Sequence, residues 1–161
     1  MKAQKLSELE ANRILKLIIT GWNINRISYH VSGWEIRFIS PSNEKPDEVC
    51  LWASDVTIPN VNLWRDKFEG LSTELNNTFE PDDTLVAIHL MSVINTHNVE
   101  TAFVDSAGNL YLKFSNSTSV ICNSEVDQVD WAWQIFDAEK TFTITCDSGP
   151  VYLSGDFKAS E

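Results

Sequence analysis

Two stretches of the chain, EANRILKLIITGWNINRISYHVSGWEIRF (10–38) and LVAIHLMSVINTHNVETAFVDSAGNLYLKF (85–114), can be laid one on the other. At an offset of 75, Ala11, Leu15, Ile18 and Ile19 meet Val86, Leu90, Val93 and Ile94, and Ile24, Ile27 and Gly33 meet Val99, Ala102 and Gly108. One extra residue after the turn brings Arg37 onto Lys113 and Phe38 onto Phe114; further on, VCLWASDV (49–56) resembles VICNSEV (120–126). A repeat of this length constrains the fold more than any single motif, because each copy must form the same unit and bury its apolar face against the other.

Within each copy the apolar period changes in the same order. Leu6, Leu9, Ile14, Leu15, Leu17 and Ile18 recur every three to four residues, the spacing of an amphipathic helix, and Ser7 followed by Glu10 predicts a capping box at its start. The second helix is expected to begin at PDDT (81–84) and to run through Leu85, Ile88, Met91 and Val93. Alternation follows. INRISYHV, a turn at Ser32–Gly33 and WEIRFIS read as one hairpin, and VETAFVD, SAGN and LYLKFS as another. VCLWAS, TSVIC, WAWQIFD, TFTITC and VYLSG add short strands. The expected fold is α+β: a duplicated helix–hairpin–strands unit, mainly antiparallel sheets with two packing helices, related by a pseudo-twofold axis. A length of 161 residues suits a single domain, with repeats at about 5–68 and 82–157 joined by 69–83.

The charge is lopsided. Residues 1–80 hold 9 Lys+Arg and 11 Asp+Glu, whereas residues 81–161 hold 3 and 12, so almost all of the net −11 sits in the second half. Such a half repels nucleic acid and anionic lipid and attracts basic surfaces. No run approaches the roughly 20 apolar residues of a membrane span. The N-terminal apolar stretch is split by Lys16 and preceded by Glu8 and Glu10, unlike an export signal. Cys50, Cys122 and Cys146 are odd in number and far apart, which argues against a disulfide framework and for a cytoplasmic protein with reduced thiols.

Reaction chemistry has little support. His30, His89 and His97 make no HExxH, HxH or paired CxxC spacing, the six glycines make no phosphate loop, and the acids of 125–139 do not follow a calcium-loop pattern. No metal, no cofactor and no catalytic residue is expected. Residues 125–139 instead combine Glu125, Asp127, Asp130, Asp137 and Glu139 with Trp131, offset nearby only by Lys140. A tryptophan among carboxylates suits a partner that presents arginine and lysine. Trp133, with Ile135 two positions on, is expected in the core; it lies near Trp64 when the copies are extended with small gaps. Trp131 falls on the same face if the strand begins early and at the rim if it begins late; the core is the favoured place for this ring too, and of the two it is the candidate for an interface anchor.

The order LMSVI, V.SAGNLYLKFSNS, VDWAWQIF and FTITCDSGPVYL over residues 84–155 resembles small, largely uncharacterised bacterial domains with an "EAWQ"-like strand and a closing glycine turn. Such domains resemble those found beside polymorphic toxin genes, where immunity proteins of contact-dependent growth inhibition and related systems occur. Here Asp130 and Ala132 replace parts of the "EAW" pattern, with Trp133 in the tryptophan position. The resemblance implies an immunity protein that binds and neutralises a cognate toxin domain, expected to be a basic nuclease, and that has no catalysis of its own. Glu125, Asp127, Asp130, Trp131, Asp137 and Glu139 are the expected partner-binding residues. The alternatives are a non-catalytic interaction or scaffold module and, third, an enzyme of unknown type.

Overall fold

The computed structural model of the protein describes residues 3–42, 46–59, 81–127 and 131–157. The first helix, α1 (Glu8–Ile18), starts at the expected capping box: the Ser7 hydroxyl accepts from the Glu10 N–H, and the Glu10 carboxylate accepts from the Ser7 N–H at 2.8 Å. It buries Ala11, Leu15 and Ile18, a stripe at i, i+4 and i+7, and leaves Leu9 and Leu17 63% and 54% exposed. The expected stripe was therefore too wide: at 100° per residue Leu9 and Leu17 point away from the line that meets the sheet. The second helix, α2 (Pro81–Val93), begins where PDDT places it. Its buried line is Leu85, Val86, Leu90 and Val93 with His89, whose Nδ1 lies 2.9 Å from the Leu85 carbonyl oxygen; Met91, expected in the stripe, is 69% exposed.

Eleven strands accompany the helices among the described residues: β1 (Gln4–Lys5), β2 (Asn23–His30), β3 (Gly33–Ile39), β4 (Glu48–Ala53), β5 (Val56–Thr57), β6 (Val99–Val104), β7 (Leu110–Phe114), β8 (Ser119–Cys122), β9 (Trp133–Asp137), β10 (Phe142–Cys146) and β11 (Val151–Gly155). They form a seven-stranded sheet in the order β1-β11-β10-β9-β4-β3-β2 and a four-stranded sheet in the order β5-β8-β7-β6. Every strand pairing is antiparallel, so the class is α+β as expected. The hairpins β2–β3 and β6–β7 and the strands β9 to β11 fall where the alternation predicts them. Trp64 and most of the join between the repeats lie outside the described residues.

Among the described residues the chain changes sheets twice. After β4 it crosses to lay β5 beside β8 (Val56 opposite Cys122), and after β8 it crosses back to lay β9 beside β4 (Leu51 opposite Ile135). The helices cross too: α1 packs on β6, and α2 on β2 and β5. Asn12 of α1 closes a two-way pair with the Val104 backbone, its Nδ2 donating at 3.1 Å and its Oδ1 accepting at 2.6 Å. Between β2 and β6 the backbones meet directly. Asn23 bridges Asn98, the Val99 N–H donates to the Trp22 carbonyl at 2.8 Å, and the Asn95 N–H donates to that of Ile24 at 2.9 Å. Buried residues from both helices and both sheets form one continuous hydrophobic cluster.

Near its centre lies Trp133, fully buried as expected, with its indole N–H donating to the Gly108 carbonyl at 2.9 Å. That carbonyl belongs to the β6–β7 turn, which Asp105 shapes: its carboxylate accepts from the N–H groups of Ala107 and Asn109, the Asn109 amide and the Tyr111 hydroxyl. Burial acts to raise the pKa of this carboxyl, but the hydrogen bonds from Asn109, Tyr111 and Ala107 outweigh it and hold the group below its usual range. Gly108 has φ +90°, and a Cβ there would lie 2.1 Å from the Gly149 carbonyl oxygen. Gly21 has nearly the same dihedral, φ +88°, but open space where its Cβ would be. Gly21→Ala should therefore cost only the strain of a left-handed alanine, about 1–2 kcal/mol, and Gly108→Ala should cost more because the turn must also move. Thermal unfolding of the two variants measures the difference; equal melting temperatures would mean that the turn is not clamped.

Candidate partner-binding surface

Strand β9 places the residues singled out between 125 and 139. It is the central strand of the seven-stranded sheet, and its side chains alternate between two faces. Trp133, Ile135 and Asp137 face the core together with Val49, Leu51 and Ala53 of β4 and Phe142, Ile144 and Cys146 of β10. Gln134 and Phe136 face outward beside Trp52 and Cys50 on one side and Thr145 and Thr143 on the other. The strand begins late, at Trp133, so its alternation does not extend back to Trp131.

Trp131 is half-buried at the rim, on the outer side of the sheet. Its ring meets Trp52 edge-on, with centroids 6.3 Å apart, and Trp52 stacks on His30 at 5.4 Å with the planes 7° from parallel. Below the rings runs a ladder of charges. His30 Nε2 stands 3.6 Å from Glu35 Oε2, and Arg37 reaches Glu35 at 2.6 Å and Glu48 at 3.1 Å. The hydrogen bond to Glu35 is the main reason the Arg37 guanidinium holds its proton more tightly than usual.

The other end of β9 is acidic. Asp137, expected on the acidic surface, is only 5% exposed. Its carboxylate accepts from the Thr141 hydroxyl at 2.7 Å and the Phe142 N–H at 3.2 Å and so closes the β9–β10 turn. This corrects the reading of Asp137 as a surface charge: ending a strand on the core-facing register folds its side chain under the turn that follows. Glu139 is exposed at the tip of that turn. Between this turn, the start of β4 and the end of β11 opens a groove of about 550 Å³. Among the described residues five carboxylates line it, those of Asp47, Glu48, Asp137, Glu139 and Asp156, with Phe142 and Phe157 as apolar wall and no lysine or arginine.

The six expected residues thus do not make one compact site. Glu125 and Asp127 are exposed on the segment that crosses from β8 towards β9, Trp131 stands at the near end of β9, Asp137 and Glu139 lie at the far end, and Asp130 is outside the described residues. The length of β9, roughly 13 Å for four steps of extended chain, separates the two ends. Sequence reasoning missed Asp47, Glu48 and Asp156. They join Asp137 only because β4 pairs with β9 and β11 with β10, and the one available signal was the acidic PDE of the 40–48 loop.

Among the described residues no group of three or more His, Cys, Asp or Glu side chains is placed to hold a metal ion, and no helix is long and apolar enough to cross a membrane. The three histidines lie on different elements, with His97 Nδ1 3.3 Å from the Ser115 hydroxyl. Comparison with protein-family models, with curated proteins and with solved structures gives no match for this chain.

The cysteines are buried and free. Burial, and after it the nearby Glu35, pushes the Cys50 thiol up to about 12 despite Arg37; burial pushes Cys146 up to about 11 and Cys122 higher still. A colourless disulfide reagent such as DTNB at pH 8 should therefore release almost no thiolate from the native protein and three equivalents once it is unfolded. Fast release of one equivalent from the folded protein would expose a reactive thiol and reopen nucleophilic chemistry.

Proposed function

We propose that this chain is a cytoplasmic immunity protein that binds and neutralises a cognate toxin domain with a basic surface, expected to be a nuclease, and that it carries out no reaction itself. The observation that carries this reading is the groove at the far end of β9, where, among the described residues, five carboxylates converge and no lysine or arginine lines the walls. An inhibitor of a nuclease needs such a surface, because the toxin must be basic to hold nucleic acid and the inhibitor is selected by charge complementarity. The resemblance of residues 84–155 to immunity domains and the −11 net charge point the same way.

We also propose that the unit is an internal duplication about a pseudo-twofold axis. Several pairs of features at the offset of 75 support it. The register shift in β2–β3 falls between Ile24 and Arg26, and that in β6–β7 between Val99 and Thr101. Asn23 bridges Asn98, its own counterpart, as a residue next to a twofold axis would. Each helix packs on the first hairpin strand of the other half, and each half contributes to the other's sheet, β5 from the first and β9 to β11 from the second.

Binding should divide between charge and ring. Charge reversal of Glu139 and Asp156 together should slow association with the toxin by about tenfold or more at low salt and flatten its salt dependence. Trp131→Ala should mainly speed dissociation, at a cost of about 2 kcal/mol, with melting little changed because the ring is at the rim. The partner to test is the basic C-terminal domain of a large exported protein encoded upstream, scored first by rescue of growth on co-expression and then by stopped-flow binding. No rescue and no binding by any such neighbour, or association rates indifferent to the reversal, would remove the proposal.

A further inference from the structure

We draw no further inference here: the strongest candidate, the uncharged row of Trp52, Gln134, Thr145 and Tyr152 across β4, β9, β10 and β11 on the outer face of the seven-stranded sheet, carries nothing, because His30 and Trp131 already pack on the Trp52 ring and nothing in the structure shows what covers that face.

Discussion

A buried indole must satisfy its N–H, and the way Trp133 does so organises both sheets. The ring sits on the central strand of one sheet, and its acceptor, the Gly108 carbonyl, belongs to a hairpin turn of the other. The same carbonyl lies 3.5 Å from the Cys146 sulfur on the neighbouring strand. The tip of β6–β7 is thereby held over β9 and β10, and its approach is so close that the backbone of Gly108 lies against that of Gly149. An unpaired indole N–H at this depth would cost about 1–3 kcal/mol, so alternative stackings of the two sheets are penalised before any apolar contact is counted.

Local order was legible in the sequence and long-range pairing was not. Ser7 and Glu10 announce a helix start because the interaction is confined to one turn, and Val99–Val104 and Leu110–Phe114 announce strands because alternation is a local property. Nothing local says that WQIFD will pair with VCLWA rather than with its own half, and that choice decides which loops converge on the groove. The helices show a subtler limit. Hydrophobicity marked Leu9, Leu17 and Met91 for the core, but only about a third of a helix surface faces a sheet, and the apolar residues of α2 are not confined to one side. At Asp137 the identity of the residue misled: an acid reads as surface, yet its place at the strand end made it an acceptor for the turn.

The acidic and aromatic features lie at opposite ends of β9, and this shapes any complex the protein forms. The charges of the groove act over a Debye length, about 8 Å at physiological salt, and can orient an approaching basic surface before contact. The His30–Trp52–Trp131 cluster acts only at contact. An interface of ordinary size, about 800 Å² per partner, spans both ends. Steering and retention can then be separate properties of one surface, set by different residues and alterable one at a time.

The two crossings between sheets bear on how the chain is made. Strand β4 is the neighbour of β9, yet the ribosome delivers β4 early and β9 only after α1, α2 and the described strands of the smaller sheet have been synthesised. Until then Val49, Leu51 and Ala53 present an apolar strand edge with no neighbour, the kind of edge that recruits other chains. The smaller sheet has the opposite schedule: β5 is already present when β8 emerges. Folding during synthesis would therefore close the four-stranded sheet first and the seven-stranded sheet last, and a chain stalled between the two would be prone to join another stalled chain through β4.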